Sequence, residues 1–141
     1  MDTETFRIVA PSVIEVRAGV AVGLSGQLEW RVGYAPERDA SGRYLVARLY
    51  AANGSGRVCV ELSAILVGGD TEAIEEGDAA DGFEAELVAS NALDSLYSLA
   101  RLTAHGLLGT ITTPIELPAS TPTPAVSRLV RTGSATTPAE A

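Results

Sequence analysis

Few side chains in this sequence could form a reactive centre, and their spacing keeps them apart. The chain holds one histidine, His105, and one cysteine, Cys59. Nucleophilic catalysis needs a thiol or hydroxyl within hydrogen-bond reach of a base that a third group orients. No Ser, Asp or Cys stands at a spacing that would identify such a partner for His105, which reads as a helix-surface or interface histidine. Cys59 lies between Val58 and Val60 in an alternating run and reads as a small hydrophobe. One Cys excludes an internal disulfide, and one His with one Cys excludes a structural zinc site. Glu29 and Glu61 sit mid-run, but acid–base work needs two groups brought together, and nothing in the sequence shows that they meet. The glycines at 54 and 56 lack the Lys-Ser or Lys-Thr of a phosphate loop and read as hairpin punctuation. The expectation is a non-enzyme with no catalytic residue, no metal and no cofactor.

The densest chemistry is acidic. Asp70, Glu72, Glu75, Glu76, Asp78, Asp81, Glu84 and Glu86 fall in one stretch with no basic residue. Their spacing does not fit the alternating ligands and terminal Glu of an EF-hand loop. Mutual repulsion predicts an exposed, mobile loop. Such a loop also offers a docking surface for a basic partner, centred on Glu72, Glu75, Glu76 and Asp78. The whole chain carries a net charge of −8, with ten Arg and no Lys against eighteen carboxylates. Nucleic acid and anionic membranes are gripped mainly by Lys and Arg, so neither is an expected partner.

The elements that must position these residues follow from hydropathy period. The chain has 141 residues and is 46% hydrophobic, enough for one domain with a real core. From Ile14, alternate residues Ile14, Val16, Ala18, Val20, Val22 and Leu24 share a face. Three further alternating runs follow, joined by Ser25-Gly26, by a loop over 36–42 and by Asn53-Gly54-Ser55-Gly56. Asn-Gly supplies the positive φ of a tight hairpin. The reading is α+β: a four-stranded antiparallel β-meander over 13–24, 27–35, 43–52 and 57–67, packed with one long C-terminal helix over 91–111. Leu93, Leu96, Tyr97, Ala100, Ala104, Leu107, Leu108 and Ile111 form that helix's stripe. Leu99 and Leu102 lie off it, a surplus that predicts an oligomer interface. Residues 1–118 read as a single domain and 119–141 as a Thr/Pro/Ala-rich tail, with a short helix expected near 124–131.

The sequence begins with acidic residues where a signal peptide would be basic, and the run over 13–24 is too short and charged to span a bilayer. A cytoplasmic location is expected. Trp30, Tyr34, Tyr44 and Tyr50 leave two readings open: core and cross-strand packing, or the lining of an apolar groove for extended peptides.

The order of four strands, long helix and Pro-containing loop resembles the SecB-like chaperone family, the export chaperone SecB and its relatives. Tyr97-Ser98-Leu99-Ala100-Arg101 stands where that family has an aromatic-Pro-Tyr-Ala-Arg stretch, followed by Leu107-Leu108-Gly109 and Pro114-Ile115-Glu116-Leu117-Pro118. Ser98 and Leu99 replace the family's Pro and Tyr, and Leu102 stands where an acidic residue is common. The resemblance covers roughly residues 96–118. It implies an ATP-independent holdase that binds unfolded or partly folded polypeptides, with Ile115 and Leu117 joining the four aromatics in the groove. It also implies a tetramer, with Leu99 and Leu102 between subunits, and a place in protein transport or antitoxin care. The competing expectation is a structural or adaptor subunit of a larger assembly, such as a phage particle.

Overall fold

Alternating apolar residues dictate three strands that run as read: β2 (Gln27–Tyr34), β3 (Arg43–Asn53) and β4 (Gly56–Val67). The computed structural model describes residues 6–20, 22–23, 26–69, 72–111 and 115–130. Asn53 Oδ1 accepts the backbone N–H groups of Ser55 and Gly56 at 2.8 and 3.0 Å, which closes the β3–β4 hairpin. The first strand, β1 (Arg7–Val20), is antiparallel to β4 rather than to β2. The sheet order is β1-β4-β3-β2-β5, a Greek key in place of the expected meander. Alternation reports which face a residue takes but not which strand lies beside it. Residues 21–26 extended reach about 20 Å, enough to cross the roughly 14 Å between the first and fourth of four adjacent strands.

β1 also departs from a plain alternation. Its register against β4 slips between Val9 and Ser12 and again between Val13 and Glu15, so Ile14 is an unpaired bulge residue and is 55% exposed. Val16 and Ala18 pack on the core, but Val20 and Val22 are exposed, and the expected Leu24 lies outside the described residues. Pro11, which has no N–H to give a ladder, is tolerated because β1 is an edge.

One sheet face is covered by two helices, where one was expected. Helix α1 (Asp78–Ala89) replaces much of the predicted acidic loop. Ala80, Phe83 and Leu87 recur at helical spacing and are buried, while its carboxylates face outward or half-outward. Asp78 and Asp81 lie in the first turn, where the helix dipole favours anions. Repulsion is thus lessened by helical geometry, which spreads the charges around a cylinder. Helix α2 (Leu93–Ile111) forms as read. Its Leu93, Leu96, Tyr97, Ala100, Ala104 and Leu108 are buried against Leu49, Val58, Val60 and Leu62 of the sheet. Among the described residues no helix is long and apolar enough to cross a membrane.

The fifth strand, β5 (Ala125–Arg128), pairs parallel to β2 where a short helix was expected, so the sheet is mixed. Val32 and Gly33 at the β2 edge supply backbone partners that outweigh the local Thr/Pro composition.

Candidate functional site

The six expected groove residues do not line one groove. Trp30 and Tyr34 share the face of Val32 and are 3% and 0% exposed, beneath the helices. Trp30 meets Tyr97 edge-on with centroids 5.4 Å apart. Ile115 and Leu117 are likewise buried, latched beside α2 where the Tyr97 hydroxyl donates to Pro118 O at 2.7 Å and Arg101 Nε donates to Leu117 O at 3.4 Å. Tyr44 and Tyr50 have the opposite parity and project from the outer sheet face, Tyr44 being 45% exposed. Trp30 and Tyr34 thus take the core-packing role, and Ile115 and Leu117 are buried with them. Leu99 is half-buried and packs on that core, whereas Leu102 is 67% exposed.

Arginines that sequence reasoning passed over anchor the start of the acidic segment by its backbone. Arg43 is 3% exposed; its Nη1 donates to Ala35 O at 2.8 Å and its Nη2 to Glu72 O at 3.3 Å. Its guanidinium lies 5.3 Å from the centre of the Phe83 ring on α1. Burial lowers the Arg43 pKa, with the charge of Arg38 adding to the effect. Arg38 N–H donates to Glu72 O at 3.1 Å, and Ile74 N–H donates to Pro36 O at 2.8 Å. Ile74, inside the acidic run, is buried and pins it further. Glu72, Glu75, Glu76 and Asp78 remain exposed, and Asp70 lies outside the described residues.

This arrangement fixes one expected result. Replacing Glu72, Glu75, Glu76 and Asp78 by Gln or Asn should leave the thermal midpoint within a few degrees, since exposed ion pairs are worth about 0–1 kcal/mol. Any basic partner docked there should be lost, and its binding to the unmutated chain should weaken steeply with salt, as a salt-series binding titration would read.

At the same end of the sheet, the Tyr34 hydroxyl donates to Glu84 Oε2 at 2.8 Å, tying β2 to α1. Burial first, and Glu84 second, push the Tyr34 phenol far above its ordinary range; burial raises Tyr97 as well. A raised phenol keeps its proton in the folded state while the unfolded chain ionises. Stability contributed by both tyrosines is therefore complete below the unfolded value near pH 10 and falls above it, by about 1.4 kcal/mol per pH unit for each. Urea titrations between pH 9 and 11 should show that decline, and Tyr34→Phe should reduce its slope.

The outer sheet face carries charge in rows. Arg31 stands opposite Arg48, which stands opposite Glu61, and Glu61 opposite Glu15. Arg17 pairs with Glu15 at 3.3 Å and Arg31 with Glu29 at 3.4 Å, all well exposed. Arg48 Nε donates to Cys59 Sγ at 3.3 Å, so the thiol is a half-buried acceptor in this face. Toward one end of the face, Val9, Ile65 and Tyr44 line up as an apolar row. His105 is exposed on α2. Among the described residues no group of three His, Cys, Asp or Glu is placed to hold a metal ion.

At the edge of β2, backbone and side chains together grip an extended segment. β5 pairs from Arg31↔Ala125 to Tyr34↔Arg128, and Leu129 N–H donates to Tyr34 O at 2.8 Å. Arg128 Nε donates to Ile74 O at 2.8 Å and its Nη1 lies 3.6 Å from Glu76. Neither β5 nor this grip was read from the sequence; Val126 and Leu129 amid small and polar residues were the available signal.

No family model matches the chain, and no curated protein matches it. Among solved structures it is similar to the SecB-like chaperone Rv1957 of Mycobacterium tuberculosis, solved in complex with a ChAD peptide from the Rv1956 HigA1 antitoxin. The TM-score is 0.51 and the identity 15%, over 84% of this chain and 87% of that one. Spanning most of both chains at this identity, the similarity to a SecB-like chaperone is one of fold.

Proposed function

We propose that this protein is an ATP-independent, non-enzymatic holdase for non-native polypeptides. The observation that carries the reading is the shared fold with a SecB-like chaperone solved with a peptide from an antitoxin. Two features of the chain support it. Large apolar side chains stand exposed on β1 and on the outer face, including Val13, Ile14 and Tyr44. Among the described residues no strand covers the outer edge of β1. Unfolded chains bring what such surfaces lack: apolar area to bury, at about 25 cal/mol per Å², and backbone groups to pair.

The site differs from the expected one. Tyr44 and Tyr50 on the outer face, with open strand edges, take the client; Trp30, Tyr34, Ile115 and Leu117 shape the scaffold beneath. We place Leu102, rather than the Leu99–Leu102 pair, at an oligomer contact, with a tetramer as the assembly. Light scattering of an aggregating, reduced client tests the function. Suppression without nucleotide, by a species of four subunits, supports it. A monomer or ring with no suppression favours the fixed assembly subunit instead.

A further inference from the structure

We propose that the β2 edge is a docking site for an extended polypeptide segment of pattern aliphatic-x-Arg-Leu, and that β5 fills it as a displaceable stand-in. The proposal rests on the holdase reading and names where and how that function would be gated.

The seat is built from three elements and reads both faces of an incoming strand. On the outer face, Gly33 leaves a gap beside Val46 that the Leu129 side chain fills. A Cβ on Gly33 would lie 2.5 Å from Leu129 Cδ2 and 3.4 Å from Val46 Cγ2. On the helix face, the Ile74 carbonyl and the Glu76 carboxylate receive a cation, here Arg128. Tyr34 O supplies the backbone acceptor at the same level. Between them, Val126 packs partly on the core beside Val32 and borders a concavity of about 510 Å³ against Ala85, Val88 and Pro124. The acidic segment thereby gains a role that free solvation does not explain: Glu76 selects a cation in the strand that docks.

The present occupant is short. β5 is four residues long and is the parallel member of an otherwise antiparallel sheet. Parallel ladders are slightly weaker per residue. Its Ala125 and Ser127 are exposed and small, so Val126, Arg128 and the adjoining Leu129 carry its side-chain contacts. Residues 115–124 reach it without helix or strand. When it leaves, β2 presents unpaired backbone groups, which template any extended chain.

The test uses the full chain and a fluorescein-labelled peptide with the sequence of residues 120–130. Substituting Arg128→Ala and Leu129→Asp loosens the internal strand. Because apparent affinity scales with the fraction of open sites, the peptide should bind this variant about tenfold more tightly than the unmutated chain by anisotropy. Adding Gly33→Val should abolish that binding. Adding Gly33→Ala, a milder block, should weaken it at least severalfold if the valine variant fails to fold by circular dichroism. A peptide with Glu in the Arg128 position should not bind. Equal binding by the unmutated and loosened chains, or binding indifferent to Gly33→Ala, overturns the proposal. Client aggregation assays in parallel separate the two readings. Peptide docking on the loosened chain with no client protection by either chain sinks the holdase and keeps the site. Equal client protection by both chains, with no peptide docking, does the reverse.

Discussion

Arg43→Ala should be among the most destabilising single substitutions in the chain, costing about 2–4 kcal/mol. Ala35 O loses its Arg43 donor, at about 1–3 kcal/mol, while Glu72 O loses the weaker of two donors and keeps the Arg38 N–H. The contact over the Phe83 ring is lost as well, worth up to about 2 kcal/mol when desolvated. The effect should be spatially specific. Arg43 joins the start of β3 to the acidic segment and to α1, so the amides of Arg38 and Ile74 should exchange faster than those of β4. Arg43→Lys, which keeps the charge but not the planar fork, should recover less than half of the loss. Urea unfolding with residue-resolved hydrogen exchange reads both results. A variant with an unchanged midpoint would mean that water replaces the guanidinium at little cost.

If the proposed oligomer forms through Leu102, Leu102→Glu should dissociate it while leaving the fold intact. Leu102 is 67% exposed, so a charge there meets solvent in a monomer but an apolar neighbour in an oligomer. The native mass by light scattering should fall at least twofold, with an unchanged strand signal in circular dichroism. Leu99→Glu should behave differently. Its side chain packs partly on the core, and burying an unpaired carboxylate there costs several kcal/mol, so this variant should lose stability first. If Leu102→Glu leaves the mass unchanged, the subunits meet elsewhere, and the open β1 edge becomes the surface to substitute.

The contrast between these leucines shows what periodicity reveals and what it leaves out. The stripe of α2 and the inner strands were legible because burial selects one face of a regular element, and Leu96, Leu49 and Val60 all obey it. The same parity already separated Trp30 and Tyr34 from Tyr44 and Tyr50, so a groove lined by all four was never compatible with a flat strand pair. Strand neighbours were not legible. Nothing in the alternation of β1 states that Val16 faces Val60, and the bulges around Ala10 and Ile14 break the pattern that would have helped. Helix α1 was hidden by its charge: carboxylates drew attention from Ala80, Phe83 and Leu87, whose spacing carries the helix. β5 was hidden for the opposite reason, since its strand character comes from the β2 edge rather than from its own residues.

The central claim is that this fold holds non-native chains and ignores native ones. The most direct measurement is calorimetric titration of one client in two states, folded and permanently unfolded by reduction and alkylation, without nucleotide. The account predicts micromolar or tighter binding of the unfolded form, at least about a hundredfold in affinity over the folded form, or some 2.7 kcal/mol. A negative heat-capacity change should mark apolar burial. Equal affinity for both states, or none for the unfolded chain, would contradict it.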